Sequence, residues 1–119
     1  MRAIANHVQA TILRGIAECA GILPRDRQKP ILMIEEIIST DWASATFLGA
    51  THDFSLRLDG EAAPVAAALA RLAADLCEHD MTIPGHIVAE IVLQPLSGLD
   101  VDQAIVSQHF TVNALTIID

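Results

Sequence analysis

Between Leu48 and Leu76 the spacing of apolar residues changes from every second residue to every third or fourth, and few folds accommodate that change. Leu48, Ala50, His52, Phe54, Leu56 and Leu58 alternate with Gly49, Thr51, Asp53, Ser55 and Arg57, the pattern of a strand with one wet and one buried face. Val65, Leu69, Leu72 and Leu76 then recur at helical spacing and draw a narrow apolar stripe. A short Asp59-Gly60 turn joins the two segments, so the strand face and the helix stripe can bury each other. Sheet packed on helix follows directly; no chemistry does.

A chain of 119 residues is expected to form a single domain, residues 1–119. With 52% hydrophobic residues it must bury a substantial core. Aromatics make up only 3%, with one Trp, three Phe and no Tyr, so the core has to be aliphatic. The net charge of −8 argues against partners whose surface is a lattice of phosphates, because nucleic acids and anionic membranes are gripped by clustered Lys and Arg. Here only Arg25, Arg27 and Lys29 come close together, between Pro24 and Pro30, where a solvated connector explains them. No apolar run is long enough to span a bilayer, and Asn6, His7, Gln9, Arg14 and Glu18 interrupt any signal-peptide centre. The expected location is the cytoplasm, and Cys19 and Cys77 are expected to be free thiols.

Residues 3–23 read as an amphipathic helix with Ile4, Val8, Ile12, Gly15, Ile16 and Cys19 on one side, ended by Gly21 and Pro24. Ile31 to Ile38 reads as a strand, yet Glu35 and Glu36 are adjacent in its middle. Neighbours on a strand point to opposite faces, so one of the pair needs an edge, a strand end or a partner. Ala43 to Leu58 reads either as one bent strand or as a hairpin tightened around Gly49-Ala50, and we expect the hairpin. His52 would then start a strand, half exposed; in a continuous strand it would need a buried partner.

A helix from Glu61 to His79 follows, with Pro64 in its first turn and an alanine face of Ala63, Ala67, Ala70 and Ala74 that suits the surface. After the Pro84-Gly85 turn, His86 to Leu96 reads as a strand with Ile87, Ala89, Ile91 and Leu93 on one face and His86, Glu90 and Gln94 on the other. Asp100 to Gln103 resembles a helix-capping box. His109 to Ile118 reads as the last strand, with Phe110, Val112, Ala114, Thr116 and Ile118 facing the core. The expected order is α-β-β-(β)-α-β-β, an α+β two-layer sandwich with a mostly antiparallel sheet of 4–5 strands and two main helices.

Two functional expectations follow, both on the sheet face away from the helices. Val88, Val92, Leu115 and Ile117 share that face and make it half apolar, a surface on which a second copy of the chain can pack. The chain is therefore expected to be a homodimeric binding or interaction module without catalytic activity. The alternative is a small enzyme with a shallow site built from Glu90, His86, Arg57 and Glu36, acid, proton carrier and charged clamp. Cross-strand Glu–Arg pairs, however, also decorate the wet face of sheets that do no chemistry. The histidines show none of the close spacings of zinc motifs, and Asp100-Val101-Asp102 lacks the later ligands of a calcium loop. No metal and no cofactor are expected, and the residues name no small-molecule ligand, although they leave room for one.

Overall fold

The computed structural model describes residues 2–22, 30–96 and 104–119, with residues 2–6 as backbone alone. The Arg25, Arg27 and Lys29 connector and the Asp100 to Gln103 capping box lie outside the described residues. The elements run in the order α1 (Arg2–Ala20), β1 (Ile31–Ala43), β2 (Leu48–Glu61), α2 (Ala62–Asp75), β3 (His86–Pro95) and β4 (Ile105–Ile118). Among the described residues the strands form one four-stranded antiparallel sheet ordered β1-β2-β4-β3. The expected α+β sandwich is present, and among the described residues the optional fifth strand is not.

The two central strands supply the core. Phe54, Leu56 and Leu58 of β2 and Val106, Phe110, Val112 and Ala114 of β4 are buried against Val8, Ile12, Ile16 and Ala20 of α1 and Val65, Ala68 and Leu72 of α2. Helix α1 ends where Gly21 takes a positive φ of 75°. There the Gly21 N–H reaches the Glu18 carbonyl and the Ile22 N–H the Ala17 carbonyl, the paired bonds of a glycine-stopped helix. The alanine face of α2 is indeed exposed at Ala63, Ala67, Ala70 and Ala74. Its regular turns stop at Asp75, and Leu76–Glu78 tighten into a 3₁₀ turn.

Three local expectations need correction. The β1–β2 turn lies at Ser44–Phe47, before Gly49, because the Ser44 side chain can hold it: the Phe47 N–H donates to Ser44 Oγ (3.0 Å) and the Ser44 N–H to the Phe47 carbonyl (2.8 Å). Strand β2 consequently runs unbroken through Gly49, and His52, expected half exposed, is buried at 2% exposure. Both edge strands carry a β-bulge. In β1 the register slips between Ile34 and Glu36, so Glu35 and Glu36 together oppose Ser55 and both side chains are exposed. In β3 it slips between Val88 and Glu90, so Ala89 is the extra residue and the strand changes faces there.

That second bulge rearranges the predicted surface. Val88 pairs with Thr116, turns toward the helices and packs on the core, so it does not share a face with Val92, Leu115 and Ile117. Ile87, paired with Ile117, takes its place. His86 pairs with Ile118 and likewise falls on the other face of the sheet from Glu90.

Candidate functional site

The sheet face that carries no helix is the largest feature left unexplained by folding. Ile31, Met33 and Ile38 from β1, Ile87 and Val92 from β3, and Ile105 from β4 are exposed there, from 40% at Met33 to 64% at Ile105. Leu115 and Ile117 lie half buried between them. A strand normally alternates polar outside and apolar inside, and these positions, most of them on the two edge strands, break the rule.

Between the apolar residues of the two edge strands, β2 and β4 carry a band of polar groups that hydrogen-bond to one another. Arg57 Nε donates to Asp59 Oδ1 at 2.8 Å, and Arg57 Nη1 lies 3.4 Å from Glu35 Oε2. The other oxygen of Glu35 meets His109 Nδ1 at 2.9 Å. The hydrogen bond from Arg57 holds the Asp59 carboxyl below the usual carboxylate range, against the opposing effect of partial burial. Four residues along the strands Asn113 Nδ2 donates to Asp53 Oδ1. Glu35 can join this band because the β1 bulge turns it outward.

The four residues expected to form a catalytic surface do not converge. Arg57 pairs in register with His109 and Glu90 with Leu115, six residues apart on β4, or about 20 Å. His86 lies on the other face, its Nδ1 3.0 Å from the Pro84 carbonyl in the turn that precedes β3. Glu36 is exposed beside the bulge, and it is Glu35 that contacts Arg57. Alternation alone points Glu35 and Glu36 apart, and no residue in the sequence announces the bulge that reverses this.

On the helix side a second polar group is centred on the buried His52 and Thr116. His52 Nδ1 lies 2.6 Å from Ser39 Oγ, and His52 Nε2 lies 3.0 Å from Thr116 Oγ1. Ser39 Oγ accepts from Gln9 Nε2 of α1 at 2.7 Å, and Thr116 Oγ1 donates to the Ala50 carbonyl at 3.4 Å. Burial is the chief reason that the imidazole pKa lies below its ordinary value.

A groove of about 490 Å³ runs between β3 and the segment before it, lined by Cys77, His79, Met81, Ile83, His86 and Glu90 among others. His79 Nε2 faces Glu18 Oε2 across 3.6 Å, beyond hydrogen-bond reach. Among the described residues no group of three or more His, Cys, Asp or Glu side chains is placed to hold a metal ion. Cys19 and Cys77 are free thiols. Among the described residues no helix is long and apolar enough to cross a membrane.

No protein-family model and no curated protein sequence matches the chain. Among solved structures the chain is similar to one from a structure described as the virion of a native gene transfer agent (GTA) particle. The two superpose with a TM-score of 0.65 at 16% identity, covering 100% of each chain. At that identity the likeness is one of fold.

Proposed function

We propose that this chain is a non-catalytic structural subunit that assembles with copies of itself through the open face of its sheet. The observation that carries the reading is the distribution of apolar and polar groups on that face. Ile31, Met33, Ile38, Ile87, Val92 and Ile105 leave apolar area in water on a surface the fold does not use. The charged band between them already has partners in Asp59, Glu35, Asp53 and His109, so covering it strands fewer lone charges than an unpaired set would.

Size points the same way. Four strands spaced by about 4.8 Å and averaging about 43 Å long present roughly 800 Å². That matches the roughly 800 Å² per partner of a standard stable interface. Addition of strands edge to edge is a poorer route, since bulges in β1 and β3 and Pro95 at the end of β3 disrupt both edges. The similar fold in a chain of a gene transfer agent virion supports an assembly role, a virion being built from repeated subunits.

Size-exclusion chromatography with light scattering tests this reading. The wild-type chain should run at twice its 12.7 kDa mass or a higher multiple. Val92→Asp and Leu115→Asp, each placing a carboxylate on the open face, should give monomers that retain the wild-type circular dichroism spectrum. A wild-type monomer at every concentration, or an oligomer that survives both changes, overturns the proposal.

A further inference from the structure

We propose that the Gln9–Ser39–His52–Thr116 chain is an acid-released latch that fastens the first half of α1 to strand β1. The latch is independent of the assembly reading, because it lies on the helix side of the sheet. Its geometry allows one consistent placement of protons at neutral pH. Thr116 gives its hydroxyl proton to the Ala50 carbonyl and therefore accepts from His52 Nε2–H. Nδ1 is then bare and accepts the Ser39 proton, and Ser39 Oγ accepts from the Gln9 amide nitrogen. In this arrangement each of these donors has an acceptor, and the arrangement requires a neutral His52.

Protonation at Nδ1 breaks this order. The ring now donates to Ser39, so the Ser39 hydroxyl must turn its proton elsewhere, and the Gln9 nitrogen 2.7 Å away is itself a donor. Turning the Gln9 amide gives the displaced Ser39 proton an acceptor in the amide oxygen but leaves an imidazolium at a site 2% exposed, with both ring nitrogens bonded to neutral hydroxyls. Asp41 of β1 and Asp53 of β2 favour the charged ring through space, and His86 of β3 opposes it. From β1 and β4 the ring meets the neutral hydroxyls of Ser39 and Thr116, and the neutral Gln9 of α1 reaches it only through Ser39. The charge is relieved when His52 reaches water, and that requires α1 to lift at Gln9.

The sign follows from the lowered pKa. A histidine held below its ordinary value contributes stability above about pH 6.5, and the contribution is lost as pH falls from there toward the folded-state value.

Hydrogen exchange read by mass spectrometry, normalised to intrinsic rates, tests the latch in the full chain. Between about pH 7 and about pH 5 the α1 amides near Gln9 should gain at least about tenfold in exchange, while β2 and β4 amides beside Phe54 and Phe110 hold steady. His52→Gln, which cannot titrate, should abolish the acid step. Gln9→Leu leaves the imidazole in place and cuts the tie, so α1 should exchange rapidly at both pH values; it carries the test if His52→Gln does not fold. A wild-type α1 equally protected at both pH values overturns the latch. So does an acid step that persists in His52→Gln, or a Gln9→Leu helix as protected at neutral pH as the wild type.

Discussion

Gly49→Ala should destabilise this protein, although alanine is the better strand residue. Exchanging a strand glycine for alanine ordinarily gains about 0.5–1 kcal/mol through the lower entropy of the unfolded chain. At Gly49 the new Cβ would overlap the Thr116 carbonyl oxygen and stand 2.9 Å from Trp42 Nε1. The first contact is with backbone, in a strand paired on both sides, so relief requires β2 and β4 to part rather than a side chain to turn. Overpacking of this kind costs about 1–3 kcal/mol or more, which exceeds the propensity gain. A net loss of about 1–2 kcal/mol in a domain this size lowers Tm by roughly 4–10 °C.

Thermal melts followed by circular dichroism measure the shift, and Trp42, the single tryptophan, reports the site by fluorescence. Its emission should move to longer wavelength as the indole is displaced from Gly49. Gly85→Ala is the control: its Cβ meets nothing within 4 Å, and its cost comes from a φ of 77° alone. A Gly49→Ala protein that melts at or above the wild-type temperature refutes the close approach of Trp42 and Thr116 over Gly49.

Two other perturbations separate core from surface. Phe110→Ala empties a fully buried position on β4 and should cost about 3–5 kcal/mol in urea unfolding; a loss under about 1 kcal/mol would mean the core is not packed around it. Arg57→Ala removes the main reason for the low Asp59 pKa, so carboxyl NMR should find Asp59 titrating higher than in the wild type. In the wild type the Asp59 contribution to stability is present above its unfolded value of about 3.9 and is lost as pH falls through the lower folded value. An Asp59 titration unmoved by Arg57→Ala would remove the ion pair from the open face.

The Leu48–Leu58 alternation and the Val65–Leu76 stripe made the layered fold legible before any coordinate, because burial of a periodic apolar face depends on composition and spacing alone. The same pattern told less about boundaries. Ser44 closes the hairpin with its own hydroxyl, whereas Gly49 attracts attention as a turn residue and is in fact the floor beneath Trp42. Alternation continued in phase through Gly49, and read strictly it described the continuous strand that is present.

The surface was harder to read for a different reason. A bulge displaces one residue and moves every side chain beyond it to the other face. The slip at Ala89 therefore replaced Val88 by Ile87 on the open face and sent His86 to the helix side, while register set Arg57 and Glu90 six residues apart along β4. The slip at Glu35 resolved the conflict of two adjacent glutamates by exposing both. His52 shows the same division. Its in-phase position among core residues, together with its need for partners, was visible in the sequence. The identity of those partners, Ser39 at a separation of 13 and Thr116 at 64, was not. Period and composition, which act locally along the chain, determined the layers, the elements and the aliphatic core. Register, bulges and the contacts of Gln9, Ser39, His52 and Thr116 depend on strands meeting across long separations, and only the tertiary structure decided them.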